Sequence, residues 1–257
     1  MIKKYNSKYF NFPIEVENEN WEIIVKIFTE NKEEIIYSYY DLEEKTSYSP
    51  YIKNAILASF IWELPKNILV LGFWAWSYAK YFKDYLWQEI NITWVEIDSA
   101  MIEIAKNEFK LQDINYFNLD YFEAIDILTK KKKYKFDNIF IDLYDQNSKI
   151  PESLNNTDIL KKISSLLTDN WKFTINYSDF EENKDFYLDL EKNILKALKN
   201  KEKIYLLAWK DDYSNVVWVY NLKERINWEK LILVYLSNVQ NWLINYDWNL
   251  ISKIFVK

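Results

Sequence analysis

The stretch Ile68–Asp98, which reads ILVLGFWAWSYAKYFKDYLWQEINITWVEID, carries the strongest fold signal of the chain. Its first four residues form an apolar run typical of a buried strand, and a turn that begins with Gly72 follows. A helix is predicted next, because Tyr78, Tyr81 and Phe82 share one face, and a second apolar run ends the stretch. A strand, a turn, a helix and a strand in this order are typical of nucleotide-binding parallel sheets.

Strand and helix patterns alternate along the chain from residue 50 onward. Short apolar runs end at Asp120 and at Leu143, and amphipathic helical segments separate them. This alternation predicts an α/β fold with a Rossmann-like, doubly wound parallel sheet. We expect residues 1–48 to form a small N-terminal β-hairpin domain. Residues 49–257 are expected to form the Rossmann-like nucleoside-binding catalytic domain.

Two residue types occur in unusual numbers. The chain has 12 Trp and 1 Gly, whereas average usage of about 7% predicts roughly 18 glycines. Five of the Trp follow Asn or Asp, as in Asn20-Trp21, and glycine is the residue favoured after Asn or Asp in hairpin turns. We hypothesise that most Trp stand where the natural protein has Gly, because the gene uses UGA as a glycine codon. The alternative is a genuinely Trp-rich chain.

The composition excludes several kinds of chemistry. The chain has no Cys and no His, which excludes disulfides, thiolate chemistry, histidine bases and ordinary zinc sites, so no metal is expected. The net charge of −6 argues against nucleic acid as a partner and suits a small cationic substrate. No apolar run approaches about 18 residues and no signal peptide is visible, so we expect no membrane partner and a cytoplasmic location.

The turn after the first strand of the predicted sheet is the first candidate site. Ligands of such sheets bind beyond the carboxyl ends of the strands, where backbone must pass close to the ligand. We therefore predict cofactor contacts from Gly72 and from positions 74 and 76, where Trp74 and Trp76 would fill the cleft if they are not glycines. Glu96 lies 20 positions beyond Trp76, the spacing at which an acidic residue accepts hydrogen bonds from a ribose.

Three aspartates follow the next strands of the sheet. Asp120 either contacts the nucleoside or only caps the helix that follows it. Asp142 and Asp145 flank Tyr144, and two carboxylates beside an aromatic face can hold an ammonium group. Without histidine, a carboxylate is the expected proton acceptor for an amine. The alternative for this pair is a solvated loop whose carboxylates cap the backbone.

Four segments together resemble the spermidine synthase family. They are Leu69–Gly72, Val95–Asp98, Met101–Lys106 and Asp137–Asp145, and the resemblance covers roughly residues 50–180. The glycine turn is shared with S-adenosylmethionine-dependent methyltransferases in general. The resemblance implies a fold of the class I methyltransferase type, preceded by a small hairpin domain.

The resemblance also implies roles for individual residues. It implies that the co-substrate is S-adenosylmethionine or its decarboxylated form, with Glu96 on the ribose and Asp120 near the adenine. It further implies that Asp142 is the base that deprotonates the attacking amine and that Asp145 holds the amine substrate. Members of the family commonly form dimers or tetramers, so a homodimer is consistent with the resemblance.

Three departures from the family pattern leave the reaction open. The acidic residue that aminopropyltransferases carry inside the glycine turn is replaced by Ala75, their Tyr-His-Glu stretch has no counterpart, and their Asp-Ser-Ser-Asp loop reads Asp142-Leu143-Tyr144-Asp145. The first hypothesis is aminopropyl transfer to a polyamine such as putrescine. The second is an S-adenosylmethionine-dependent methyltransferase of unknown acceptor. The third is a nucleoside-binding module without catalysis.

Overall fold

A computed structural model gives the arrangement of most of the chain. The residues that it describes are 1–28, 32–45, 47, 50–60, 65–72, 76–86, 90–131, 133–144, 149–177, 182–198, 202–207 and 216–221. Within these residues, no helix is both long enough and apolar enough to cross a bilayer.

The described residues form eleven strands, six α-helices and a short 3-10 helix at Glu152–Asn155. The strands are β1 Ile2–Tyr5, β2 Ile14–Glu19, β3 Glu22–Phe28, β4 Glu34–Asp41, β5 Asn67–Leu71, β6 Asn91–Val95, β7 Asn115–Phe117, β8 Phe136–Ile141, β9 Leu167–Tyr177, β10 Glu202–Leu207 and β11 Val216–Asn221. The helices are α1 Pro50–Phe60, α2 Trp76–Leu86, α3 Ser99–Asn107, α4 Tyr121–Lys130, α5 Thr157–Ser165 and α6 Lys184–Ala197.

The larger sheet has the strand order β10-β11-β9-β8-β5-β6-β7. Strands β5 to β9 run parallel to one another, and β11 is inserted in the opposite direction between β9 and β10. The chain begins this sheet at β5 in its middle, moves outward to β7, and then returns to β8 on the other side of β5. This confirms the prediction of an α/β fold with a Rossmann-like doubly wound sheet.

The four strands β1 to β4 form a separate antiparallel sheet in the order β1-β2-β3-β4. A two-residue turn joins β2 to β3, and Glu19 and Glu22 pair across it. Its residues Asn20 and Trp21 have φ angles of 50° and 68°, and two positive φ angles define a type I′ turn. The predicted N-terminal hairpin is therefore present, and its second turn position has a backbone conformation that favours glycine.

Two apolar clusters lie on the two faces of the larger sheet. Ile68 and Val70 of β5 belong to a cluster with α1, α2 and α3, whereas Leu69 and Leu71 belong to a cluster with α4, α5 and α6. This division follows from the alternation of side chains along a strand. Both faces of β5 are therefore buried, as its continuous apolar run predicts.

The N-terminal sheet contributes to the first of these clusters. Its inward residues Ile14, Ile23 and Val25 are fully or almost fully buried in the same cluster as α2 and α3. Polar contacts strengthen this packing: the Tyr40 hydroxyl donates to Asp84 Oδ2 at 2.8 Å. The N-terminal sheet is thus held against the helices that follow β5 and β6.

Candidate active site

A cavity of about 310 Å³ opens beyond the carboxyl ends of β5, β6, β7 and β8. This is the edge at which ligands bind in parallel α/β sheets, and the volume lies at the lower end of the range for small-molecule pockets. Most of its lining side chains are apolar or aromatic. The lining residues are Tyr9, Phe10, Gly72, Val95, Glu96, Ile97, Asp98, Leu119, Asp120, Tyr121, Phe122, Leu143, Tyr144, Pro151 and Ser153.

Gly72 lets two strands approach each other closely at the floor of the cavity. Its φ angle is +100°, which side chains rarely tolerate, and an added Cβ atom would lie 2.1 Å from the carbonyl oxygen of Asp142. Its amide donates to the Val95 carbonyl at 3.1 Å. A residue other than glycine would therefore separate β5 from the end of β8.

Glu96 places a buried carboxylate on the cavity wall, directly after β6. Its Oε1 accepts a hydrogen bond from the Asp98 amide at 2.6 Å. Its Oε2 is buried without a hydrogen-bond partner among the described residues. Burial, together with the negative charge of Asp98, raises the pKa of Glu96 well above its usual value. A ligand hydroxyl that donated to Oε2 would remove the cost of this unsatisfied acceptor.

Asp98 and Asp120 line the cavity and also accept hydrogen bonds within the protein. Asp98 caps α3 by accepting from the Ala100 amide at 3.0 Å, and it also accepts from the Ser7 hydroxyl. Asp120 caps α4 by accepting from the Phe122 amide at 2.8 Å. Capping and cavity lining therefore coexist at Asp120, where the sequence presented them as alternatives.

Asp142 lies immediately after β8 and is completely buried. Its Oδ1 accepts from Asn176 Nδ2 at 3.0 Å, and its Oδ2 has no partner among the described residues. Burial raises the pKa of Asp142 to about 7, although the hydrogen bond from Asn176 opposes this shift. Asp142 is not among the residues that line the cavity, but Leu143 and Tyr144, which follow it, are.

Tyr144 connects the cavity wall to the end of β9. Tyr144 lines the cavity, and its hydroxyl donates to the carbonyl oxygen of Asn176 at 2.8 Å. The structure thus brings Gly72, Glu96, Asp120 and Tyr144 to one cavity, with Asp142 behind its wall.

Of the two tryptophans predicted at the cofactor turn, only Trp76 lies within the described residues. Trp76 begins α2, but its indole is fully buried in the core, with ring centroids 6.5 Å from Trp94 and 5.5 Å from Phe109. It does not fill the cavity, contrary to the expectation from sequence, because the large apolar ring packs with other aromatic rings instead. Trp74 and Asp145 lie outside the described residues.

Solved structures share this architecture. The chain is similar to a probable spermidine synthase from Corynebacterium glutamicum ATCC 13032, with a TM-score of 0.71 and 13% identity over 92% of this chain and 88% of that chain. It is similar to human methyltransferase-like protein 13 in complex with SAH, with a TM-score of 0.58 and 19% identity over 77% of this chain and 92% of that chain.

A third similar structure is a spermidine synthase in complex with the transition-state analogue AdoDATO, with a TM-score of 0.59 and 14% identity over 95% of this chain and 80% of that chain. The fold is of the class I methyltransferase type. By sequence, no family model and no curated protein matches the chain.

The sequence interpretation missed the part of the site that the N-terminal sheet supplies. The loop after β1 brings Tyr9 and Phe10 to the cavity, and Ser7 hydrogen-bonds to Asp98. Burial and the negative charges of Asp98, Glu96 and Asp120, which line the same cavity, raise the pKa of Tyr9. No spacing in the sequence relates this loop to residues some 90 positions later.

Proposed function

We propose that the chain is a transferase that binds S-adenosylmethionine or its decarboxylated form in this cavity. The observation that carries the proposal is the buried Oε2 of Glu96, which has no hydrogen-bond partner in the described part of the chain and belongs to the same cavity lining as Gly72. A ribose has hydroxyl groups that can donate to this oxygen. The cavity lies at the sheet edge where nucleosides bind in folds of this type. The neighbours bound to SAH and to AdoDATO support a ligand of this class.

The apolar part of the cavity suits the adenine ring. Tyr121, Phe122 and Leu143 contribute apolar surface beside Asp120, and aromatic bases bind by stacking and apolar contact as well as by hydrogen bonds. In this arrangement Asp120 Oδ1 is engaged by the helix cap. Its second oxygen is the group that can accept from the adenine amino group.

The proposed reaction is aminopropyl transfer to a polyamine such as putrescine. The amine nitrogen forms a bond to the methylene carbon next to the sulfonium, the carbon–sulfur bond breaks, and its electrons leave with the thioether product. The proton lost by the amine passes to Asp142, whose Oδ2 has no partner within the described ranges and whose pKa of about 7 suits a base near neutral pH. Tyr144 and Asp145 are the proposed contacts of the remaining ammonium group.

Methyl transfer is the second candidate function. Ala75 occupies the turn position at which aminopropyltransferases carry an acidic residue, and one similar structure is a methyltransferase. In this reaction the same nucleoside site would present the methyl carbon to an acceptor of unknown identity. The carboxylates near the end of β8 favour the first reaction.

Product analysis separates the candidates. The protein is incubated with decarboxylated S-adenosylmethionine and putrescine, and in parallel with S-adenosylmethionine and a panel of methyl acceptors. The proposal predicts spermidine and methylthioadenosine from the first mixture. S-adenosylhomocysteine from the second mixture alone would establish methyl transfer. Nucleoside binding without either product would identify a binding module and contradict the transferase.

A further inference from the structure

The side chain of Asn118 bridges two neighbouring strands at the sheet edge where the cavity opens. Asn118 directly follows β7, and its Nδ2 donates to the carbonyl oxygens of Glu96 and Ile97, both at 2.9 Å. These two residues directly follow β6, and both line the cavity, as does Leu119 next to Asn118. Asn118 itself is not among the lining residues, so its influence on a ligand passes through its neighbours.

The residue type at position 118 matches what the two carbonyls need. Strand β6 ends at Val95, so the carbonyls of Glu96 and Ile97 lie beyond its ladder and take a side-chain donor instead. An asparagine amide has two N–H donors on one nitrogen, so one side chain can bond to both oxygens. Leucine and aspartate, which are of similar size, have no donor at this place.

The turn that Asn118 holds also fixes the Glu96 carboxylate. The chain reverses after Ile97, so that the Asp98 amide donates to Glu96 Oε1 at 2.6 Å. The Glu96 amide donates to the Phe117 carbonyl at 3.0 Å. Oε2 has no hydrogen-bond partner in the part of the chain that the structure describes. The main chain around Glu96 is therefore tied to β7 and its following residue, and the turn sets the direction in which Oε2 points.

We propose that Asn118 is a positioning residue of the nucleoside site, which holds the turn after β6 so that Glu96 presents Oε2 to the ribose hydroxyls. The inference deepens the proposed function and rests on it, because the ribose belongs to the proposed co-substrate. Without the Asn118 amide, the two carbonyls lose their donor, and the turn no longer fixes the carboxylate. The ribose contact should then weaken more than the contacts of the adenine ring, which other residues supply.

The preference for a ribose with hydroxyl groups measures this role. Adenosine and 2′,3′-dideoxyadenosine share the base, but only adenosine carries both hydroxyls. Calorimetry gives the dissociation constants of both for the chain with Trp74 and for Trp74→Gly, and the tighter binder is the reference. The reference should bind adenosine at least about tenfold more tightly than the dideoxy compound, because a ribose hydroxyl bonds to a charged acceptor. Asn118→Leu in the reference should reduce this ratio below about threefold, while the affinity for dideoxyadenosine stays within about twofold.

Asn115, at the other end of β7, supplies the matched control. Its Nδ2 donates to Thr93 Oγ1 at 3.4 Å, and it does not line the cavity. Asn115→Leu makes the same change in the same strand, so it should keep the adenosine preference within about twofold of the reference. Circular dichroism shows whether each variant is folded. An equal loss of preference in Asn115→Leu and Asn118→Leu, or an equal loss of affinity for both nucleosides in Asn118→Leu, would overturn the inference.

A second substitution keeps the test decisive if the leucine variant does not fold. Asn118→Asp keeps the shape of the side chain and removes the same two donors, so it should lose the adenosine preference as well. A folded Asn118→Asp variant with the full preference would overturn the inference.

A double variant shows whether Asn118 acts through Glu96. Glu96→Gln alone should remove most of the adenosine preference, and adding Asn118→Leu should lower the adenosine affinity by less than about twofold more, because both changes affect the same oxygen. Fully additive losses would overturn the inference, as would a reference without any adenosine preference. If the preference depends on Asn118 but neither spermidine nor S-adenosylhomocysteine is formed, the proposed transferase fails and the positioning role stands.

Discussion

At the scale of single residues, two buried carboxylates distinguish this site. Glu96 and Asp142 both have one oxygen engaged by the protein and the other without a partner among the described residues. Groups of this kind are expensive to bury and are characteristic of binding and catalytic sites. In our account the first meets a ribose and the second an amine, so their variants should have different effects.

Asp142→Asn tests the assignment of the base. We expect aminopropyl transfer to fall by about 10²–10⁴-fold, because the amide cannot accept the proton. In the unaltered protein, kcat/KM should rise with pH through about 7, since burial raises the pKa of Asp142 to that value and the ionised form is the base. The pH profile of both proteins is the measurement. An Asp142→Asn variant with undiminished activity would remove Asp142 from this role.

Asp142→Asn, which should lower activity, should raise the free energy of unfolding. The pKa of Asp142 is about 7 in the folded protein, above its ordinary value, so the folded state binds the proton more tightly than the unfolded state. The carboxylate therefore destabilises the fold progressively as the pH rises from about 4 to about 7. The asparagine avoids this cost, so the advantage of Asp142→Asn in urea denaturation should be larger at pH 8 than at pH 5. A larger gain in stability at pH 5 than at pH 8 would contradict the raised pKa of Asp142.

At the scale of elements, the β2–β3 hairpin offers the clearest test of the unusual composition. Trp21 has a φ angle of 68° and is 69% exposed, so its indole contributes little packing while its Cβ strains the turn. Trp21→Gly should raise the free energy of unfolding by about 1 kcal/mol in urea denaturation. Trp21→Ala removes the indole and keeps the Cβ, so it should give no gain. If both substitutions raised the free energy of unfolding equally, the gain would come from removal of the indole instead.

The parallel core could be predicted because its strands carry strong local signals. The run at Ile68–Leu71 is apolar on both faces, and the helix beginning at Ser99 has both a capping aspartate and a periodic apolar face. Boundaries were less accurate: Asn170-Trp171 reads as a turn, yet the structure includes it in β9. There the pairing with β8 changes register between Phe136 and Asn138. Leu167 pairs with Phe136 and Lys172 with Asn138, so β9 has extra residues at the turn signal and regular pairing resumes at Lys172.

Features that depend on distant contacts could not be predicted. Strand β1, Ile2–Tyr5, is short and contains two lysines, and it is held by pairing with β2 and by Lys3 Nζ, which lies 2.9 Å from Glu108. Asn118 is one polar residue after a strand and belongs to no motif. Its role becomes visible only when the pairing of β7 with β6 places its amide beside the carbonyls that follow β6.

At the scale of the whole molecule, the N-terminal sheet and the parallel sheet share one apolar cluster and line one cavity. Buried residues of β2 and β3 pack in the same cluster as α2 and α3, and the β1–β2 loop lines the cavity. We therefore expect one cooperative unfolding transition in scanning calorimetry of the full chain. Deletion of residues 1–48 should prevent folding, because it exposes the apolar surfaces of both helices. Two separate transitions would contradict this coupling.

The hypothesis that Trp stands where the natural protein has Gly concerns the whole chain, but it has to be tested position by position. The backbone at Trp21 favours glycine, whereas the indoles of Trp76 and Trp94 are buried among aromatic rings of the core. A variant that tests the cofactor turn should therefore alter position 74 and keep the ring at position 76. Mass spectrometry of the natural protein identifies the residue at each position directly.

Calorimetric titration with the two nucleosides tests the central claim, that this cavity binds S-adenosylmethionine or its decarboxylated form. The account predicts saturable binding of one of them, either by the chain with Trp74 or by the Trp74→Gly variant. Glu96→Gln should weaken this binding by about 10- to 100-fold, because the amide replaces one of the two acceptor oxygens with a donor. Glu103→Gln, on the exposed face of α3, should leave it unchanged. No binding by either chain, or equal affinity with and without Glu96, would contradict the account.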